Sequence, residues 1–478
     1  MPDLRYAFRS LLKAPGFTLV AILALALGIG ANTAIFSVVY GIVLRPLPFP
    51  EQEKLLYIGE WSEQVPQMSV SYPNFVDWRE RQKAFTAIGA VRFQGFNYIG
   101  PTESERIVGA MASHDMFTAL SLSPLRGRFY NAAEDKLGAE RTVVISERLW
   151  HRMFGGRENI LGEKIQLSSY FYTVIGIMPA SFQYPSAANE LWVPLGLFAD
   201  GYTDRGSHPG IYCVARLKPG VSYEAGVADI KGVAEQLARD YPDSNARQSA
   251  SVQLLTDRAF GQVRPALFVL LGAAGFVLLI ACANVANLQL ARAHARGREF
   301  AVRAALGAGR GRIIRQLLVE SVLLGGIGCG IGILLGVWGL DALRTILPTN
   351  VPRVAEVTLN TPVLIFAVTV SFVTSIVFGL VPALHAAKLD LREALAQGTR
   401  GSSSSGGNWR SALIVGEFAL TCVLLVGAGL MLRTLSNLYR ADPGYTTEKT
   451  LTFAWVLPGQ AYTEATARTT TIDRAFAR

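Results

Sequence analysis

Seven arginines and a single acidic residue lie within residues 292–316. Guanidinium groups at this density bind lipid phosphates or pair with the carboxylates of a partner protein. Phe300, Val302 and Leu306 lie between the arginines at helical spacing and provide some apolar surface. Two interpretations therefore stay open for this stretch. It is either a basic loop that only contacts lipid headgroups, or a short helix that docks on a partner in the cytoplasm.

Other patterns that could carry chemistry are weak. The four cysteines are scattered and show neither a disulfide framework nor metal-ligand spacing. His114, His151 and His208 share one polar region but also lack metal-ligand spacing. No G-x-x-x-x-G-K-[ST] motif occurs, and that motif is what cradles the phosphates of ATP. We therefore expect no catalytic set, metal or cofactor in this chain, and we predict that it is not an enzyme.

Long apolar runs lie on both sides of the basic stretch. Only 17% of the 478 residues are charged, against about 25% in a typical soluble protein. A helix that crosses the hydrocarbon layer needs about 20 mostly apolar residues. Five segments meet this requirement and are predicted transmembrane helices: 17–44, 265–291, 317–341, 362–386 and 411–432.

The distribution of basic residues predicts how these helices are oriented. Segments 1–16, 292–316 and 387–410 together hold 14 Lys and Arg against four acids. Basic loops stay in the cytoplasm, so we expect a cytoplasmic N-terminus and an extracytoplasmic region at 46–262. A basic excess placed in this way reflects membrane topology, and we expect no nucleic-acid partner.

Local patterns predict several elements around these spans. Residues 1–16 should form a basic amphipathic helix on the inner leaflet of the bilayer. Region 46–262 has mixed α/β character and should end in a strand, helix and strand at 211–217, 222–241 and 251–256.

Two features of the third span have structural roles in this interpretation. Gly328, Gly332 and Gly336 recur every four residues, a spacing that lets membrane helices pack closely. Glu320, near the cytoplasmic end of the span, should reach headgroups or an arginine such as Arg315. A role for Glu320 in proton coupling is the less favoured alternative.

The C-terminal part of the chain repeats the pattern of its beginning. Residues 387–410 contain a Gly/Ser-rich cytoplasmic linker, and span 411–432 follows it. Pro443 then precedes Glu448 by five residues, as Pro48 precedes Glu53. We expect an internal repeat whose second extracytoplasmic domain, at 433–478, is cut short.

This order of parts resembles the MacB/FtsX-type permeases of ABC transporters, and in particular their acidobacterial duplicated orphan permease subfamily. The resemblance covers nearly the whole chain. It rests on segments 4–39, 71–80, 143–156, 161–165, 172–179, 278–324 and 415–435.

The resemblance implies a membrane α-helical, FtsX-like permease with five transmembrane helices in this chain and a mixed α/β, MacB-like periplasmic core domain at 46–262. It implies a location in the bacterial inner membrane and a separate cytoplasmic ABC ATPase dimer that binds the ATP. Closure of that dimer would be passed through the spans to the outer domain, the mechanism called mechanotransmission. The ATPase would contact the coupling loop 292–316 at Glu299, Arg303, Leu306, Gly307 and Arg310.

Further partners follow from the same resemblance. Duplicated family members carry eight spans, so we expect either a longer protein or a second permease half, supplied by another subunit or by a homodimer. The lipid bilayer and a periplasmic adaptor are also expected partners. An FtsX-like relay that regulates an extracytoplasmic cell-wall hydrolase or sensor is the alternative to export.

Overall fold

The chain forms two compact units, one made of residues 1–45 and 263–449 and the other containing Pro46–Gln262. We refer to them as the membrane unit and the outer domain. The computed structural model describes residues 2–100, 104–297, 299, 302–303, 309–346, 357–387, 407–442, 469–470 and 473–474.

Twelve helices are labelled here within the described residues, and five of them are long and apolar enough to cross a membrane, as predicted. The helices are α1 (Pro2–Leu12), α2 (Pro15–Val39), α3 (Tyr72–Arg81), α4 (His114–Ala119), α5 (Glu147–Phe154), α6 (Tyr223–Asp240), α7 (Pro242–Asn245), α8 (Leu255–Phe260), α9 (Arg264–Ala295), α10 (Arg310–Ile346), α11 (Thr361–Ala387) and α12 (Gly407–Arg440). The five that are long enough to cross a membrane are α2, which a π-helical turn extends to Leu44, and α9 to α12.

Several helices run beyond the limits that the sequence predicts. Helix α9 continues to Ala295 and α10 begins at Arg310, so both margins of the 292–316 loop are helical. Arginine has a high helix propensity and a long side chain that reaches water from a helix end. Likewise, α12 begins before the predicted end of the 387–410 linker and continues into the region predicted as the start of 433–478. Most of that linker and of 443–478 lies outside the described residues.

Helix α10 packs closely on α2 through the predicted glycine stripe. A Cβ atom added to Gly332 would lie 3.0 Å from the carbonyl oxygen of Ala26, and one added to Gly30 would lie 2.8 Å from the carbonyl oxygen of Gly332. Gly328 and Gly336 face the same helix, where added Cβ atoms would lie 2.9 Å from Leu25 Cβ and 3.4 Å from Thr33 Cβ. Small residues allow the two backbones to approach this closely in lipid.

Side-chain hydrogen bonds connect the same helices across apolar surroundings. The amide of Asn32 on α2 donates to the carbonyl oxygen of Ala274 on α9 at 2.7 Å. The hydroxyl of Ser371 on α11 donates to the carbonyl oxygen of Gly325 on α10 at 2.9 Å. Each bond satisfies a donor that would be costly to leave unpaired in hydrocarbon, so these contacts also define which helix faces are neighbours.

The outer domain is built on one ten-stranded mixed sheet. The strands are β1 (Leu55–Trp61), β2 (Phe85–Ile99), β3 (Ser104–Ala112), β4 (Arg126–Gly127), β5 (Thr142–Ser146), β6 (Lys164–Leu167), β7 (Tyr170–Met178), β8 (Leu191–Pro194), β9 (Ile211–Leu217) and β10 (Ser249–Leu254). They follow the order β10-β1-β9-β2-β3-β8-β5-β7-β4, and β6 pairs with β2 and β7.

The predicted strand–helix–strand unit at the end of this domain is confirmed as β9, α6 and β10. Strand β1 lies between β9 and β10 and is antiparallel to both, so the two flanking strands are parallel to each other. Helix α6 makes the crossover between parallel strands and buries Ile230, Val233 and Leu237. Its N-terminus is capped by Ser222, whose hydroxyl accepts a hydrogen bond from the backbone N–H of Ala225 at 3.2 Å.

Candidate functional site

Three helices of the membrane unit meet at the arginine-rich stretch: α1, the C-terminal end of α9 and the N-terminal part of α10. Their polar side chains form one connected network, which we call the Tyr6–Glu299 cluster. It consists of Tyr6, Ser10, Arg292, Arg296, Glu299, Arg303, Gln316 and Glu320.

Glu299 lies at the centre of this cluster and is bound from two directions. The hydroxyl of Tyr6 donates to its Oε1 at 2.5 Å, and Nε of Arg296 donates to its Oε2 at 3.0 Å. Arg303 forms an ion pair with the same carboxylate. Residues three and four positions apart are neighbours on a helical turn, so Arg296 and Arg303 flank Glu299 because of their spacing, whereas Tyr6 arrives from α1.

The Tyr6 hydroxyl also connects the two arginines. It accepts hydrogen bonds from Arg296 at 2.9 Å and from Arg303 at 2.7 Å. The guanidinium of Arg303 lies 4.8 Å from the centre of the Tyr6 ring, within the range of a cation–π contact. A single side chain of α1 is therefore bound to three charged groups of the loop.

Arg296 extends the cluster to α10. Its Nη1 lies 3.2 Å from Oε1 of Glu320 and 3.3 Å from the hydroxyl oxygen of Ser10 on α1. The side chain of Glu320 is only 7% exposed and that of Arg296 15%. The arginine that pairs with Glu320 is therefore Arg296. Arg315, which the sequence offered as an example, pairs with Asp3 at 2.7 Å instead, because its position on α10 turns it toward the start of α1.

The charges in the cluster stabilise one another. Burial would raise the pKa of Glu299, but hydrogen bonds from Arg296 and Tyr6 and the charges of Arg296 and Arg303 outweigh that effect and lower the pKa to about 2. Burial would lower the pKa of Arg296, but the hydrogen bond to Glu299 and the charge of Glu320 raise it above its ordinary value. Both groups are therefore charged at neutral pH, which suits a fixed mechanical connection better than a proton relay.

The structure describes three of the five residues that the sequence predicts as contacts for an ATPase. It brings Glu299 and Arg303 together, with their charged groups bound to partners in the same chain. Arg310 is exposed at the start of α10. Leu306 and Gly307 lie outside the described residues. Val302 is 60% exposed and presents an apolar side chain on the loop.

Sequence reasoning missed three members of the cluster, namely Tyr6, Ser10 and Gln316. One local signal was present, since Arg296, Glu299 and Arg303 recur with the spacing of a helical turn. Tyr6 and Ser10 carried no such signal, because their partners lie 282 or more positions away in the chain.

The outer domain has a separate buried polar group at Glu60, which is 1% exposed. Its Oε1 accepts hydrogen bonds from the backbone N–H of Ser71 at 3.0 Å and from the amide of Asn74 at 2.8 Å. Nε2 of His208 lies 2.7 Å from its Oε2. Because these contacts join β1, α3 and the segment before β9, we interpret Glu60 as a structural residue of the domain.

Comparison with known proteins connects both units to described families. A model of the MacB-like periplasmic core domain matches residues 18–233, and a model of the FtsX-like permease C-terminal domain matches residues 271–391. The first match runs from α2 of the membrane unit into the outer domain and through most of α6, and the second runs from within α9 through the basic loop, α10 and α11.

Three curated relatives show the same likeness. The macrolide export ATP-binding/permease protein MacB of Hahella chejuensis is 28% identical over 267 residues, which are 55% of this chain and 39% of that protein. The uncharacterized ABC transporter permease YknZ of Bacillus subtilis is 29% identical over 268 residues, 55% of this chain and 63% of that protein. The pyoverdine export ATP-binding/permease protein PvdT of Pseudomonas entomophila is 28% identical over 277 residues, 57% of this chain and 40% of that protein. The matched part of this chain thus spans less than two thirds of each relative.

Proposed function

The chain belongs to the MacB/FtsX-like ABC transporter permease family, and from that premise we propose that it couples a separate cytoplasmic ATPase to movement of its outer domain. The observation that carries this proposal is the Tyr6–Glu299 cluster, which binds the loop between α9 and α10 to α1 and to Glu320 of α10. A force applied to the loop would therefore be transmitted to two further helices through charge-assisted hydrogen bonds, the strong kind.

The orientation of the chain is part of the proposal. We place the N-terminus and the arginine-rich loop in the cytoplasm and residues 46–262 on the outer side of the bacterial inner membrane. The excess of Lys and Arg at the proposed cytoplasmic segments supports this orientation. The match of 18–233 to a periplasmic core domain supports it independently.

The proposed mechanism begins at the exposed face of the loop. The ATPase dimer, which would hold the ATP, docks on Val302 and Arg310, while Glu299 and Arg303 hold the loop to α1. Nucleotide-driven closure of the dimer displaces the loop and with it α10. Since α10 packs on α2 backbone to backbone at Gly332, the two helices move as one body. Helices α2 and α9 lead directly into and out of the outer domain, which would receive the motion.

The relatives that are named for macrolide and pyoverdine export favour export as the purpose of this motion. We retain the relay to a cell-wall hydrolase or sensor as the alternative. A periplasmic adaptor and a second permease half, from another subunit or a second copy, would complete an export system. Helix α12 supports the presence of a second permease half, since the described residues bury none of its most apolar window. A second half and the fifth span also suit the duplicated subfamily, which we propose for this chain.

The ATPase contact is tested by affinity purification of the tagged full chain from its native membranes. We expect an ABC ATPase to co-purify with the wild type and its recovery to fall at least about tenfold for Val302→Asp, because a carboxylate there would be desolvated at the interface. Glu224→Lys, at an exposed position of α6 in the outer domain, is the control and should leave recovery unchanged. Equal recovery with Val302→Asp, or no ATPase with the wild type, would contradict the proposal.

A further inference from the structure

Helix α1 carries exposed arginines beside exposed apolar side chains. Leu4 and Phe8 are 47% and 53% exposed, whereas Ala7 and Leu11 of the same helix are buried against the rest of the membrane unit. Arg5 and Arg9 are also exposed. Because these arginines are four positions apart on a helix, they lie on one face, and their guanidinium groups can bind one anionic group together.

Two adjoining grooves begin at this helix. The smaller has a volume of about 490 Å³ and is lined by Leu4, Arg5, Phe8, Arg9 and Leu323. The larger has a volume of about 890 Å³ and shares Leu4 and Leu323 with the first. It continues along α10 past Gly326 to Phe372 and Ile376 of α11 and is lined mostly by apolar side chains.

The charges at the two grooves differ. Arg315, beside the larger groove, is neutralised by Asp3 at 2.7 Å. Within the described part of the chain, no acidic side chain forms an ion pair with Arg5 or Arg9. The smaller groove therefore presents two positive charges that lack an acidic partner there. It adjoins the larger, mostly apolar groove, which runs between helices of membrane-spanning length.

We propose that these grooves bind one anionic phospholipid, with its phosphate between Arg5 and Arg9 and its acyl chains along α10 from Leu323 to Ile376 of the neighbouring α11. An anionic amphiphile matches both parts of the site, because its charge pairs with the arginines and its chains fill the larger groove. A helix of another protein would fill the larger groove but would leave both arginines without a counter-charge. The site does not depend on the proposed ATPase coupling.

The test measures lipid retention by the full chain. The protein is reconstituted in nanodiscs of equal phosphatidylglycerol and phosphatidylcholine, partly delipidated in detergent and analysed by native mass spectrometry. We expect retention of phosphatidylglycerol over phosphatidylcholine by the wild type. Each basic residue near an anionic lipid contributes about fivefold in affinity, so Arg5→Gln with Arg9→Gln should lower the preference about 25-fold. The matched control is Lys13→Gln with Arg312→Gln, two exposed basic positions that line neither groove.

A second pair of variants tests the larger groove without changing a charge. A Cβ atom added at Gly326, which lines the larger groove, meets no atom within 4 Å, so Gly326→Leu should extend into the groove without a clash. We expect it to lower retention of phosphatidylglycerol severalfold. Gly330→Leu, at an equally open position of α10 outside the groove, should not change retention. Equal retention of the two lipids by the wild type, or equal effects of Gly326→Leu and Gly330→Leu, would overturn the proposal. Cross-linking of Gly326→Cys to another protein in the membrane would also overturn it.

Discussion

The hydroxyl of Tyr6 donates a hydrogen bond of 2.5 Å to Oε1 of Glu299, although 293 positions separate the two residues in the chain. The bond joins the first helix of the chain to the loop between α9 and α10. The same hydroxyl accepts hydrogen bonds from Arg296 and Arg303, so its removal would affect three charged groups together. This makes Tyr6 the most direct residue with which to test whether the cluster acts as a unit.

Tyr6→Phe should lower the free energy of unfolding of the chain in detergent by about 1–2 kcal/mol, because it removes hydrogen bonds to charged partners. In a double-mutant cycle with Glu299→Gln, we expect the two effects to be non-additive by at least about 0.5 kcal/mol. Tyr439→Phe is the control, since Tyr439 on α12 is 83% exposed and should tolerate the loss of its hydroxyl. Strict additivity of Tyr6→Phe and Glu299→Gln would show that the two residues are not coupled.

The stability contributed by Glu299 should depend on pH in one direction. Its pKa is lowered from 4.5 to about 2, so its contribution is complete above the unfolded-state pKa and is lost as the pH falls through the folded-state pKa. Glu299→Gln cannot titrate at this position. We expect the difference in Tm between wild type and Glu299→Gln to be constant from about pH 7 to 5 and to shrink between about pH 4.5 and 2. A difference that stays constant down to pH 3 would disprove the assigned pKa.

Because α10 packs on α2, two glycines of α10 should differ in how well they tolerate substitution by leucine. Gly332→Leu should lower the free energy of unfolding by about 1–3 kcal/mol, because the Cβ atom alone would lie 3.0 Å from a backbone oxygen of α2. Gly330→Leu meets no neighbouring atom and should be neutral or stabilising, since leucine is the better helix former. Thermal unfolding of both variants in detergent provides the comparison. Similar Tm values would mean that the two helices are not in close contact at Gly332.

Glu60→Ala should weaken the outer domain locally. The substitution leaves the backbone N–H of Ser71 and the side chains of Asn74 and His208 without their hydrogen-bond acceptor. Removing one partner from such a buried polar cluster lowers the free energy of unfolding by about 3 kcal/mol or more. Hydrogen–deuterium exchange of the full chain should become faster in β1 and α3. Glu63→Ala, at an exposed position nearby, should leave exchange unchanged. Unchanged exchange in Glu60→Ala would show that this carboxylate is not needed for the fold.

Much of the architecture follows from local patterns in the sequence. Apolar runs of sufficient length predicted all five candidate membrane helices, because a span is defined by the composition of one continuous segment. The β9–α6–β10 unit was equally predictable, since strand alternation and helical periodicity are properties of neighbouring residues. The predictions for Leu306, Gly307, most of the Gly/Ser linker and most of the second outer domain concern positions outside the described residues and stay predictions.

Only the tertiary structure decided which distant residues meet. Spacing indicated that Gly328, Gly332 and Gly336 form a packing surface, but the choice of α2 as their partner depends on how the helices assemble. In the same way, Glu320 carried a charge that needed a partner, yet packing selected Arg296 over Arg315. Periodicity is confined to one element, whereas the contacts of Tyr6 join α1 to a loop that lies 290 or more positions away in the chain.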